Sequence, residues 1–156
     1  MIERKIPLMA MHSDLAQPFR YAVGRYGSRF LTALRDEGKI LGIRCPQCGR
    51  VYVPPRQVCG PCFQKMEEFV ELNGQGTIEN FTVVLFSFID PETGTQRPVP
   101  YGYALIRMDG AYSRFIHFLE ETDMKKIRVG MRVEPVLEEK RTGSLKDIKY
   151  FRIIEK

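Results

Sequence analysis

At 156 residues, with 44% hydrophobic and 28% charged side chains, the chain has the make-up of a soluble globular protein of one ordinary domain or two small ones. No apolar run approaches the roughly eighteen residues that a membrane helix needs, so a spanning segment is excluded. The net charge of +5 raises the question of nucleic acid, but it is unevenly placed: residues 1–66 carry eleven Lys/Arg against four Asp/Glu, and residues 67–156 carry thirteen against fifteen.

Residues 1–17 show neither helical nor strand periodicity and read as an extended arm. Its start is too short in apolar length and too interrupted by polar residues for a secretory signal. Residues 18–27 mix aromatic and basic side chains with glycine. Ser28 is a suitable N-cap, and residues 29–37 then read as a helix ended by Gly38. Phe30, Ala33 and Leu34 share one face of it. A short helix outside a barrel has little core in which to bury that face. Phe19, Tyr21, Tyr26 and Phe30 lie among Arg20, Arg25, Arg29 and Arg35, residue types enriched at interfaces. The expectation is docking on a partner chain; the plainer alternative is packing across the rest of this one.

Residues 39–44 form a short strand leading into the most specific motif of the chain. Cys45-Pro46-Gln47-Cys48 and Cys59-Gly60-Pro61-Cys62 contain all four cysteines, with ten residues between the pairs. In each pair the two-residue gap turns both sulfurs toward one point, and two facing turns make the tetrahedral thiolate cage that zinc prefers. Gly49 supplies the backbone freedom that the first turn needs. Residues 50–56 read as one short strand stopped by Pro54 and Pro55. The competing readings are two disulfides, which belong to secreted chains, and a redox dithiol, which normally comes singly beside a βαβ pattern. The spacer is shorter than the usual ribbon template of about fifteen to twenty residues. Four thiolates close the coordination sphere, so Cys45, Cys48, Cys59 and Cys62 are expected to hold a structural zinc. Cysteines committed to metal fit a reducing cytoplasm.

Past the ribbon the period changes. Residues 69–72 are strand-like and residues 73–76 form a turn. A long β stretch at 77–88 follows, then a Pro- and Gly-bearing loop at 90–98. Further strands are expected at 100–108, 112–119, 132–138 and 150–154, with Asp109-Gly110 as a hairpin signal and a helical turn around 123–127. That order is the order of an OB-fold, a five-stranded Greek-key barrel, against some other small barrel or sandwich. The expected fold is mainly β, divided as arm and helix 1–38, zinc ribbon 39–68 and OB-fold barrel 69–156.

The combination resembles a family of small proteins with an N-terminal helix, a rubredoxin-like zinc ribbon and an OB-fold, accessory subunits of thiolases and related acyl-CoA enzymes. The resemblance covers about residues 18–154. It rests on Cys45-x-x-Cys48-Gly49, on Pro54-Pro55-Arg56 leading to Cys59-x-x-Cys62, and on Gly74-x-Gly76-Thr77-Ile78. Pro98-Val99-Pro100-Tyr101 and Val129-Gly130-Met131-Arg132-Val133 complete it. The N-terminal arm is longer here than in that pattern, which leaves partner and substrate open. The resemblance implies a subunit bound to a thiolase-superfamily partner, helping to hold a coenzyme A ester. An ester of aromatic degradation is one candidate among several.

The residues themselves support a non-catalytic role. Every cysteine is committed to metal, His12 lies in the arm, and His117 sits in the apolar run Phe115-Ile116-His117-Phe118-Leu119, where a structural histidine is the commoner case. No nucleophile elbow, P-loop or dinucleotide fingerprint is present. OB-folds bind through the face of their second and third strands, which places Arg97 and Arg114 near CoA phosphates and Pro100 and Tyr101 along the pantetheine. The plainer readings are solvated arginines and a strand-starting bend. Nucleic-acid binding is the alternative function, and a ligand-free scaffold is a third. A C-terminal half that is slightly acidic is wrong for a phosphate backbone.

Overall fold

A computed structural model describes residues 22–89 and 94–154; Phe19, Arg20 and Tyr21 of the expected docking segment lie outside the described residues. The helix, α1 (Gly24–Glu37), starts a turn earlier than Ser28, and Val23 at its N-cap offers no side-chain cap. A tertiary contact holds the extra turn. Tyr26 stacks on Phe69 with ring centroids 5.9 Å apart, and the Arg29 guanidinium lies 4.2 Å from the same Phe69 ring. Gly38, left-handed at φ +68°, ends the helix. Phe30 and Leu34 are buried in the same cluster as the barrel residues Ile78, Ile106 and Phe151. The apolar face expected to meet a partner is therefore occupied within the chain.

β1 (Ile40–Arg44), β2 (Val51–Tyr52) and β3 (Glu68–Leu72) form an antiparallel sheet in the order β2-β1-β3. The remaining strands are β4 (Gly76–Val84), β5 (Tyr101–Met108), β6 (Phe115–Leu119), β7 (Arg132–Leu137) and β8 (Ile148–Ile153). They close a five-stranded barrel in the order β4-β5-β6-β8-β7, with β7 returning to β4. β6 and β8 meet in parallel at Leu119 and Phe151, the pairing that distinguishes an OB barrel from a simple meander. The fold is mainly β, with one N-terminal helix, zinc-ribbon cysteines and a closed OB-fold barrel, as expected.

Two barrel strands have boundaries that differ from the sequence reading by more than two residues. β4 stops at Val84, and Leu85 and Phe86 beyond it are largely exposed. The segment around 123–127 is a single turn, closed by the Lys126 N–H on the Asp123 carbonyl at 2.9 Å, as the sequence indicates. After the Asp109-Gly110 turn the chain does not pair again until Phe115, because residues 112–113 are diverted to the ribbon. The Tyr112 N–H donates to the Val51 carbonyl at 2.7 Å. The Ser113 hydroxyl accepts from the Val53 N–H at 2.7 Å and donates to the Val53 carbonyl at 2.9 Å. Ser113 thus clasps ribbon to barrel.

His117 on β6 is buried beside Phe115 and Phe151. Its Nε2 is 3.1 Å from the Leu145 carbonyl oxygen, and its Nδ1 makes no hydrogen bond among the described residues. Burial pushes its pKa below the ordinary value, with the Leu145 carbonyl opposing. The fold favours the neutral ring, whereas the unfolded chain takes up the proton at about pH 6.5. Stability is therefore full above that pH and falls as the pH drops through it. The urea midpoint is expected to decline from about pH 7.5 to about pH 5.5, and His117→Gln is expected to remove that slope. Parallel curves for the two proteins would rule the buried ring out as its source.

Candidate functional site

Two arrangements of side chains stand out, one in the ribbon and one on the barrel. In the ribbon the two cysteine turns are built alike. The Cys45 N–H donates to the Arg50 carbonyl at 2.9 Å and the Gly49 N–H to the Cys45 carbonyl at 3.0 Å. The second turn repeats both offsets, with the Cys59 N–H on the Gln64 carbonyl at 2.9 Å and the Phe63 N–H on the Cys59 carbonyl at 2.8 Å. Gly49 is left-handed at φ +71°, and Phe63 occupies the matching place at φ +54°.

These turns bring the four sulfurs within 4.8 Å of one another, with Cys48 and Cys59 3.7 Å apart. Zinc–sulfur bonds of about 2.3 Å in a tetrahedron put sulfurs about 3.8 Å apart, so the cage fits one zinc ion. Cys45 and Cys59 are buried, and four thiolates leave no position for water or substrate, which makes the site structural. The Tyr52 hydroxyl lies 3.3 Å from the Cys59 sulfur, while the Arg56 guanidinium covers the Tyr52 ring at 3.7 Å. That hydroxyl, with the neighbouring cysteines, holds the Cys59 thiol below its ordinary pKa. The same contact supports a thiolate ligand once zinc is bound.

On the barrel, β5 and β6 alternate. Gly102, Ala104, Ile106 and Met108 face inward with Phe115, His117 and Leu119; Tyr101, Tyr103, Leu105, Ile116 and Phe118 are left on the outside. An antiparallel strand's solvent face is ordinarily polar, and this one, Arg107 at its end apart, is aromatic and aliphatic. Tyr103 and Phe118 meet edge to face with centroids 4.6 Å apart, and Tyr101 lies 5.8 Å from Phe118. The Arg97 guanidinium is 4.8 Å from the Phe118 ring and 5.6 Å from Tyr101. A groove of about 300 Å³ is lined by these residues with Thr82, Val84 and Phe88. It shares Thr82 and Tyr103 with a second groove of about 240 Å³ that reaches Ile116.

Of the candidate ligand residues, Arg97 and Tyr101 come together in the first groove, and Pro100 is exposed at its edge. Arg114 is elsewhere. It forms an ion pair with Glu79 at 2.6 Å, a carboxylate that Arg107 also reaches at 3.1 Å. Phe115 beside it pairs with Ile106, five residues along β5 from Tyr101, roughly 17 Å at strand spacing. Tyr103 and Phe118 complete the groove. The alternation of residues 115–119 carried the signal for Phe118, since placing Phe115 and Leu119 in the core puts residue 118 outside. The cysteines are gathered in the ribbon and His117 reaches only the Leu145 carbonyl, so neither forms a nucleophile–base pair among the described residues. No helix of the described residues is long and apolar enough to cross a membrane.

Comparison with known proteins adds identity to this geometry. Residues 32–67 match the model of the ChsH2 rubredoxin-like zinc ribbon domain, and residues 69–138 match that of the ChsH2 C-terminal OB-fold domain. The chain is 32% identical over 104 residues to a DUF35 domain-containing scaffold protein of Methanocaldococcus jannaschii, covering 66% of this chain and 70% of that one. A protein of the same description from Methanothermobacter thermautotrophicus is 28% identical over 98 residues, covering 62% and 70%. Two solved structures share the fold. One is a DUF35-family protein of unknown function from Sulfolobus solfataricus, with TM-score 0.58, 24% identity and coverage of 83% and 84%. The other is an Ltp2–ChsH2(DUF35) aldolase, with TM-score 0.62, 23% identity and coverage of 86% and 98%.

Proposed function

The chain belongs to the DUF35 family, with a ChsH2-type zinc ribbon and OB-fold, and from that premise we propose that it is the non-catalytic subunit of a thiolase-type acyl-CoA acyltransferase complex. The observation that carries the proposal is the groove of Arg97, Tyr101, Tyr103 and Phe118 on the barrel face by which OB-folds take ligands. Arg97 supplies a cation for a CoA phosphate, Pro100 and Tyr101 border the pantetheine path, and the aromatic edges offer stacking surface for adenine. Arg114, held by Glu79, marks a second phosphate position only if that ion pair opens. The acyl group, aromatic or otherwise, is assigned to the partner's pocket.

Thiolytic or condensing chemistry needs a reactive cysteine. This chain has its four cysteines in one metal cage, so the nucleophile is assigned to the partner. Relatives named as scaffold proteins, and an aldolase assembled with a ChsH2 DUF35 chain, support a hetero-oligomer. A reducing cytoplasm is the compartment that suits the thiolates. The test has two parts. Calorimetric titration of benzoyl-CoA and free CoA is expected to show binding weakened about tenfold or more in Arg97→Ala and Tyr103→Ala. Purification of the tagged full chain from its native host is expected to bring an acyl-CoA enzyme with it. Turnover of the ester by the isolated chain would overturn the accessory role. Strongly salt-dependent retrieval of nucleic acid without such an enzyme would transfer the case to nucleic-acid binding.

A further inference from the structure

The second cysteine turn carries a conformational cost that the first avoids. Its left-handed position holds Phe63, whereas the first turn holds Gly49 there. A bulky residue at φ +54° is a genuine outlier for an L-amino acid, and Phe63 is the most exposed large hydrophobic among the described residues, at 82%. Among the described residues the ring has almost nothing to bury against. Glycine would build the same turn with less strain, so an aromatic kept here at a cost to folding points outward. Val58, 43% exposed, and Pro61 extend the apolar tip.

Cations stand on the neighbouring segments of the ribbon. Lys65 bridges to Val58, and the Arg56 guanidinium packs against Gly60, 3.4 Å from where a Cβ would stand. Arg25, Tyr26, Arg56, Gln57 and Lys65 line a groove of about 500 Å³ between α1 and the ribbon. Glu67 pairs with Lys65, but residues 22–66 as a whole hold eight Lys/Arg against two Asp/Glu. Residues 1–21, with Arg4, Lys5 and Arg20 against Glu3 and Asp14, add no net negative charge to balance it.

We propose that Phe63 is the anchor by which the ribbon docks on a partner protein, entering an apolar socket ringed by carboxylates that meet Arg25, Arg56 and Lys65. An aromatic in a desolvated socket with a charged rim is the usual make-up of an interface hot spot. That the partner is an acyl-CoA enzyme rests on the reading above; the chemistry of the socket does not. The proposal is tested on the full chain and the subunit that copurifies with it, once identified and purified, by calorimetry at low and high salt. Phe63→Gly is expected to weaken binding about 30-fold while keeping its zinc, with a melting temperature equal to wild type or up to a few degrees higher. Arg25→Gln is expected to weaken binding at low salt, the difference shrinking as salt rises.

A Phe63→Gly chain that binds within threefold of wild type would overturn the anchor and leave the acyl-CoA reading intact. A partner of other chemistry that is lost with Phe63→Gly would support the anchor and overturn that reading. A melting temperature lowered by Phe63→Gly would make the ring structural and sink the proposal. So would recovery of no protein partner, a homodimer broken by Phe63→Gly, or oligonucleotide binding that depends on Phe63.

Discussion

Cys59→Ser is expected to cut zinc from about one ion per chain to a small fraction of that and to unfold the ribbon, read by elemental analysis and by a melt of the same samples. The magnitude follows from how little else holds this segment. Its own core is Ile43, Cys45, Tyr52, Cys59 and Met66, so metal ligands make up two of its five buried residues. Its strand β2 is two residues long. Structural zinc contributes on the order of 10–16 kcal/mol, comparable to the whole stability of a typical domain at about 5–15 kcal/mol. Tyr52→Phe gives the graded form of the experiment, with zinc affinity expected to fall about 10- to 100-fold as the contact to Cys59 is lost. A metal-free, fully folded chain with two disulfides would refute the assignment.

Phe151→Ala is expected to lower stability by about 3–5 kcal/mol and the melting temperature by about 10 °C or more. Phe151 is fully buried, its backbone sits where β8 closes on β6, and its carbonyl accepts the Glu120 N–H at 2.9 Å. Its ring lies 6.3 Å from Phe115 and 5.9 Å from His117. Truncation leaves a cavity at the seam of a closed sheet, where neighbours fixed by ladder hydrogen bonds have little room to collapse. A loss below about 1 kcal/mol in urea unfolding would mean that the seam relaxes around the gap.

The parts of this architecture that announce themselves in the sequence are those governed by spacing. The cysteine pairs needed only their two-residue gaps, and the barrel strands needed only alternation, as in Tyr101 to Met108 with every second residue inside. What stayed hidden was governed by distant contacts. The start of α1 depends on Phe69, forty-three residues from Tyr26 in sequence. The end of β4 could not be seen because Leu85, Phe86 and Phe88 have strand-forming side chains yet lie at the surface. Arg114 looked available for a phosphate because nothing local reveals Glu79, thirty-five residues away. The turn before β8 carried a readable signal, Ser144 followed by Asp147, a reciprocal capping box on a single turn of 3-10 helix. It is too short to register as a helical period.

The Ser113 clasp has a consequence for assembly. A double hydrogen bond at Val53 joins the Tyr112–Val51 bond and the apolar packing of Ile40, Val53 and α1 on the barrel, and together these fix the mutual orientation of ribbon and barrel. On the docking proposed above, a molecule seated in the aromatic groove would be presented at a set distance and angle from the partner held by the ribbon. The second contact becomes an intramolecular event with a high effective concentration, since the orientational entropy is already lost when the chain folds.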